Sequence, residues 1–457
     1  MKKESNKNFN LLLIASTFSN LADGIAGFAY PWLFSLLTRD PLLISIVSVL
    51  VNLPRLIFVL FAGVIADKFN RQKILMYTRL GQVFLTSLFI VLIYLNLDNI
   101  PKEVQFNEPQ FESKFLIISA AYLLAFMFGL LEVTRDNAAQ AFLPQIVSKD
   151  NLPKANGRLF GIEIVTNNFL GTPVGGFLIG LSLITPFIFD TLLMLVSVFF
   201  ITGIKGKFER PEDINKDQNT SEMIKEGVEW LKNNTLLKRL AIYTGIANFF
   251  GSMQFPIMIL FAQELIGLNA IQYSFLAYGA AIGGLVGSQV ANKINAKLEE
   301  SKTLLISVAL FGIGMFAPYV TSNPFIVAGS FGLSSFGSVL WNVQAVSIRQ
   351  ALIPDNLLGR VNSVYRLLAL GLNPIGAIFG GAIVKILDNS FSREFALRFP
   401  FLLGGIFMQY IAVEIDPTVR VVAQHANPAT KPFPSITHWA HDAISITEHK
   451  IRHLGPT

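Results

Sequence analysis

Asp150-Asn151-Leu152, followed by Gly171-Thr172-Pro173-Val174-Gly175-Gly176, returns 205 residues later as Asp355-Asn356-Leu357 and Gly376-Ala377-Ile378-Phe379-Gly380-Gly381. Each copy opens with a polar turn bearing Lys154 or Arg360, passes an asparagine, Asn156 or Asn362, and enters a long apolar run punctuated by glycine. A loop feeding a membrane helix is therefore present twice, and the chain reads as two related halves. Repeats of several spans each are the usual architecture of secondary transporters, whose substrate site lies where the repeats meet.

Composition supports this reading. Mean hydropathy is +0.52, hydrophobic residues make up 52% and charged residues only 14%, whereas soluble domains carry roughly 25% charged residues. The excess apolar surface needs lipid. Runs near the ~20 residues that cross a bilayer occupy 9–37, 42–66, 74–97, 115–134, 160–181 and 186–204, then 240–265, 273–291, 303–320, 325–346, 361–387 and a short 399–413. The expected fold is an all-α membrane protein of twelve helices in two six-helix repeats, with a short or atypical last helix. Its parts are a first bundle over 1–204, a linker over 205–238, a second bundle over 239–413 and an atypical tail over 414–457.

Lys and Arg collect in alternate loops. One side holds the amino terminus and the loops containing Lys68 to Lys73, Lys149 to Arg158, Lys205 to Arg239, Lys293 to Lys302, and Arg349 with Arg360; the other holds only Arg39, Lys102, Lys114, Arg393 and Arg398. Basic loops stay cytoplasmic, so both termini are expected in the cytoplasm and the protein in the cell (inner) membrane. The net charge of +6 is then a topology signal, and no basic stripe with interleaved aromatics suggests nucleic acid. Lys2, Lys3 and Lys7 lead into a full-length span without a small-residue cleavage site, so the first helix reads as its own targeting signal.

The chain has no cysteine, which excludes disulfides, thiol catalysis and Cys-ligated metal. In the linker, Ile224, Val228 and Leu231 recur at i, i+4 and i+7, the pattern of an amphipathic helix expected along the membrane surface. All five histidines lie in the tail; His449 and His453 have helical ligand spacing, but no second pair completes a metal site. No cofactor and no metal are expected.

Between spans two and three runs Gly63-Val64-Ile65-Ala66-Asp67-Lys68-Phe69-Asn70-Arg71-Gln72-Lys73. It resembles motif A of the major facilitator superfamily, Gly-x-x-x-Asp-Arg-x-Gly-Arg-Arg, with Asn70 where the family has glycine, both residues that tolerate a left-handed backbone. The resemblance implies a conformational latch. In it Asp67 caps the helix start at Gly359 to Asn362, as the dipole favours, and Arg71 pairs with Glu132 or Asp136 on span four. In span five, Gly161 and then Gly171, Pro173, Gly175 and Gly176 resemble motif C of drug:proton antiporters, with the proline displaced by one place; the glycines would pack helices closely and the proline would let the helix bend. Leu53-Pro54, Ala141-Phe142-Leu143-Pro144, Phe189-Asp190, Arg349-Gln350 and Gly359-Arg360-Val361-Asn362 follow in an order similar to the macrolide-efflux and enterobactin-exporter-like branch, over roughly residues 9 to 405.

Ionisable residues inside spans are functional candidates by default. Asp23 and Arg55 lie at similar depths on the first two spans, so Asp23 reads either as a proton site or as a structural partner of Arg55; Glu163 is the next coupling candidate. Asn167, Asn168, Gln254, Asn342 and Gln344 are placed to line the same cavity, and Arg366, Arg135 and Glu132 sit nearer the inner face. Gly245 to Ser252 lacks a phosphate-loop lysine, which argues against ATP hydrolysis. Gly332-Leu333-Ser334-Ser335-Phe336-Gly337 has the wrong spacing for a nucleophile elbow, so an intramembrane hydrolase is disfavoured. The resemblance implies a monomeric efflux antiporter, of the multidrug-resistance kind, exporting a drug or macrolide-like amphipathic compound against protons. A siderophore or lysolipid carrier of the same fold is the alternative.

Overall fold

A computed structural model describes residues 2–58, 61–62, 65, 69–103, 105, 111–148, 151–206, 208, 220–354 and 357–423. Helix α1 (Lys2–Leu37) turns at Thr38 to Asp40 into α2 (Pro41–Ile57), where the Asp40 carboxylate caps the helix by accepting from the Leu42 and Leu43 amides. There follow α3 (Arg71–Leu95), α4 (Lys114–Ile146), α5 (Leu152–Glu163, a π-helical turn Ile164–Gly171, then Thr172–Leu181) and α6 (Thr185–Thr202). A surface helix, α7 (Thr220–Asn233), precedes α8 (Thr235–Phe261 with a π-helical end, Ala262–Ile266), α9 (Ala270–Lys297), α10 (Glu300–Val320), α11 (Pro324–Leu352), α12 (Leu358–Gly371 and Asn373–Asp388) and α13 (Arg393–Ala423). Among the described residues, eleven helices are long and apolar enough to span a membrane, and the shorter apolar α2 is the twelfth element of the pattern.

The bounds expected for the last span and the setting expected for the linker helix both change. The last helix extends past the apolar run 399–413 at both ends and provides a 22-residue span, Arg393–Glu414. Its charged first turn is tolerated because Arg398 bonds Glu394 and the Pro318 and Tyr319 carbonyls. The composition change at Glu414 is thus no break in the helix, and the tail histidines lie outside the described residues. The amphipathic helix forms, but it docks on protein: Gly227 meets the Arg360 carbonyl, Glu226 pairs with Arg360, and Leu231 is buried among Leu236, Ile353 and Val361.

The repeat is legible in the packing. Within the first six spanning helices, α1 packs on α5 and α6, α2 and α3 on α4, and α3 on α6; within the last six, α8 packs on α12 and α13, α9 and α10 on α11, and α10 on α13. These are the same pairings shifted by one repeat. The two sets meet through α2 on α12 and α5 on α9, and the repeated glycines make both meetings possible. A side chain on Gly175 would meet the Ile25 backbone of α1, as one on Gly380 would meet the Met253 backbone of α8. The neighbouring glycines face the opposite set: a Cβ on Gly176 would stand 2.5 Å from the Ser274 Cβ, and one on Gly381 would be 2.6 Å from the Pro41 carbonyl. Gly161, by contrast, has open space around it and plays no packing part. Pro173 lies just past the π-helical turn, where its missing N–H accounts for the altered ladder.

Each overpacked site costs ~1 to 3 kcal/mol, so Gly176→Val and Gly381→Val are each expected to lower the unfolding temperature by several degrees while Gly161→Val does not. Thermal melting of the purified variants checks this; equal melting of all three contradicts the packing assignment.

The core divides unevenly along the helix axes. At the face carrying Asp40, one apolar cluster runs through both sets of helices, joining Phe28, Trp32 and Leu37 to Phe261, Leu276, Val384 and Phe401. Toward the face carrying the amino terminus there are two separate clusters, one in the first set around Phe9, Leu75 and Phe142 and one in the last set around Leu237, Leu304 and Ile348.

Candidate functional site

A cavity of about 380 Å³ lies between the two sets of helices, within the range of small-molecule sites. Tyr30, Phe34, Phe89, Phe128 and Phe255 give it aromatic walls, and Asp23, Asn52, Gln82, Glu132, Asn167, Ser252 and Asn373 are its polar points. Of the residues expected to line one cavity, Asn167 does so. Asn168 is exposed beside it, Gln254 is buried and bonds the Pro400 carbonyl of α13, Gln344 is buried within the last set, and Asn342 lines a different cavity.

Asp23 is not the partner of Arg55. Both of its carboxylate oxygens are held by Arg79 of α3, at 2.8 and 2.7 Å, and Arg135 of α4 bonds it at 3.2 Å. Arg79 is 1% exposed and also bonds Gln82 and Ser19. Arg55 instead reaches Asp136 at 3.0 Å and Glu132 at 3.6 Å. The reason is direction: Asp23 faces α3 and α4, whereas Arg55 stands at the end of α2 beside α4. Arg135 also pairs with Asp136 at 3.2 Å, so one network runs Arg79, Asp23, Arg135, Asp136, Arg55, Glu132 across four helices. Glu163 lies within electrostatic range of Asp136, Arg135 and Asp23 but outside the ion pairs that join them.

Motif A is seen only in part, since Gly63, Asp67 and Lys68 lie outside the described residues. Arg71 does not take the expected partner; it donates to the Ala141 carbonyl at 2.9 Å, while the acids of α4 are engaged by Arg55 and Arg135. Asn70 is not left-handed either. It adopts an extended conformation, φ −60° and ψ 118°, and its side chain caps α3 by accepting from the Lys73 amide. A side-chain N-cap explains an asparagine there better than turn tolerance does.

Besides Arg79, two features escape sequence reasoning. Asp190 of α6 is fully buried, and neither of its carboxylate oxygens has a hydrogen-bond partner among the described residues. In the sequence it stands only as a family mark, although an acid six residues inside an apolar helix is itself a signal. The second feature is a ring of charge at the Asp40 face. Glu264, 8% exposed, accepts from Arg39 at 2.8 Å and from Arg393 at 2.9 Å; Arg393 also bonds the Arg39 carbonyl and Asp388, and Lys385 bonds Asp40. Gln263 exchanges hydrogen bonds with Arg39 and Ser35. Beneath this ring Tyr273 of α9 packs on Phe28 and Trp32 of α1, with centroids 5.7 and 5.8 Å apart. Among the described residues, the ion pairs that join the first set of helices to the last, Arg39 with Glu264 and Asp40 with Lys385, both lie at this face.

Comparison with known proteins agrees with the fold. The sequence model of the family described as transmembrane secretion effectors, within the major facilitator superfamily, matches residues 4–414. An enterobactin exporter, EntS of Salmonella typhi, is 22% identical over 424 residues, covering 89% of this chain and 92% of the relative. The uncharacterised transporter YceJ of Bacillus subtilis is 25% identical over 305 residues, 65% of this chain and 69% of the relative. Among solved structures, a point mutant of the nucleoside transporter NupG superposes with a TM-score of 0.71 at 11% identity, covering 89% of this chain and 99% of that one. A bacterial homologue of the iron transporter ferroportin in its inward-facing state gives 0.67 at 13% identity, covering 91% and 99%.

Proposed function

We propose that this chain, which belongs to the transmembrane secretion effector family of the major facilitator superfamily, is a secondary exporter that moves an amphipathic or hydrophobic compound out of the cell against inward-moving protons. Its two six-helix bundles, 1–204 and 239–413, rock about the cavity between them, as transporters built from repeats do. The basic loops favour an amino terminus in the cytoplasm, which makes the Asp40 face the outer one.

The observation that carries this reading is the uneven core. Apolar packing and ion pairs join the bundles at the outer face, whereas toward the inner face each bundle has its own core. That is the arrangement of an inward-facing resting state. The Asp23 network supports coupling, because it sits in the cavity wall and holds carboxylates and arginines that a change of bundle angle would re-pair. Similarity to enterobactin exporters favours, as a second reading within export, a siderophore as cargo.

Cells lacking their own efflux pumps and expressing this protein are expected to accumulate at least one compound of an amphipathic panel less than vector controls do. An uncoupler that collapses the proton gradient is expected to abolish the difference. Export that persists with the uncoupler present contradicts gradient coupling, and no export of any compound contradicts the proposal.

A further inference from the structure

A second cavity, of about 540 Å³, lies wholly within the last six helices, toward the inner ends of α11 and α12. It brings together Arg349 and Arg366 with Tyr243, Trp341 and Tyr365. Among the described residues no carboxylate comes within 4.0 Å of either guanidinium, unlike Arg55, Arg79 and Arg135, each of which faces an acid. A guanidinium stays charged at any physiological pH, and intramembrane cations otherwise find a partner. Arg366 is exposed where it lines the cavity, whereas Arg349 is half-buried. Its guanidinium is stacked 4.0 Å over the Tyr365 ring, and its Nε is buried without an acceptor.

The aromatic walls are fixed in place. The Tyr365 hydroxyl is 2.9 Å from Thr244 Oγ1, and Trp341 Nε1 donates to the same oxygen at 3.1 Å. Two planar cations without a counter-charge among the described residues, beside rigid aromatic faces, suit a ligand that brings a carboxylate, sulfonate or phosphate next to an aromatic body, since guanidinium binds such groups through paired hydrogen bonds. We infer that this cavity is an anion-binding site that receives the charged end of an anionic aromatic compound from the cytoplasm. In its role as an entry site for cargo it rests on the export reading, but the binding itself does not.

The test uses the full chain in phosphatidylcholine nanodiscs and three probes of one shape: 1-naphthoate, 1-naphthol and 1-naphthylmethylamine. Calorimetry is expected to show 1-naphthoate binding at least ten times more tightly than the other two, and Arg349→Gln/Arg366→Gln is expected to erase that preference. Arg349→Lys/Arg366→Lys, which keeps the charges, is expected to retain part of it. A phosphatidylglycerol arm separates the sources of the anion: weaker 1-naphthoate binding there assigns the site to a lipid headgroup, and unchanged binding assigns it to a soluble compound. Equal affinity of the wild type for all three probes overturns the inference even if the variants fail to fold. Intact naphthoate selectivity in a protein that exports nothing would remove the export reading and leave the site standing.

Discussion

Replacing Asp23 with Asn is expected to reduce gradient-driven export at least tenfold and to lower thermal stability at the same time. The amide cannot neutralise Arg79, which is 1% exposed and bonded to both Asp23 oxygens; breaking a buried pair from one side costs ~3 to 5 kcal/mol because the other charge stays behind. Arg55→Gln is expected to rescue nothing, since Arg55 sits on Asp136 and Glu132. Arg79→Gln in the Asp23→Asn background removes the stranded charge and is expected to restore melting. Export then separates the two roles. If folding recovers and uphill export does not, Asp23 carries the coupled proton; if both recover, the carboxylate serves only to hold Arg79. Wild-type export by Asp23→Asn alone removes the network from the mechanism.

Glu264→Gln is expected to open the face carrying Asp40, the outer one in the proposed orientation. Glu264 is the common acceptor of Arg39 from the first bundle and Arg393 from the second, and all three are buried or half-buried. Without its charge two cations face each other across the seam, and the closed arrangement of this face loses its main polar tie. Ser252 lines the central cavity behind this seal, and the chain has no native cysteine. A Ser252→Cys reporter labelled in intact cells by an impermeant maleimide is therefore expected to react slowly in the parent and about tenfold faster with Glu264→Gln, equivalent to ~1.4 kcal/mol of population shift. Equal rates contradict the assignment of Glu264 to the outer seal.

The large features are readable in the sequence because they are written in period and composition. Twelve apolar runs, the 205-residue repeat and the glycines at 175, 176, 380 and 381 depend on local chemistry, and the helices and their close contacts follow from it. Pairings are not readable in the same way. Asp23 and Arg55 match in depth, but depth leaves the rotation of each helix open, and rotation turns Asp23 toward Arg79. Arg79 lies inside an apolar run, where the default that singles out Asp23 applies to it equally and marks it as a candidate. The outer ring is illegible for another reason. Arg39, Glu264 and Arg393 are far apart in the chain; Glu264 and Arg393 meet within the second bundle and Arg39 joins them only where the two bundles touch, so none of the three points to the others in the sequence.

Alternating access is tested most directly by two distances in one protein. Spin labels at Lys102→Cys and Ser390→Cys report the outer face, and labels at Ser148→Cys and Lys297→Cys report the inner one; all four positions are exposed. Pulsed electron–electron resonance on the resting protein is expected to give a short, narrow outer distribution, and Glu264→Gln is expected to lengthen the outer distance while shortening the inner one. Distances that both stay fixed, or that lengthen together, would contradict a pair of bundles rocking about the cavity.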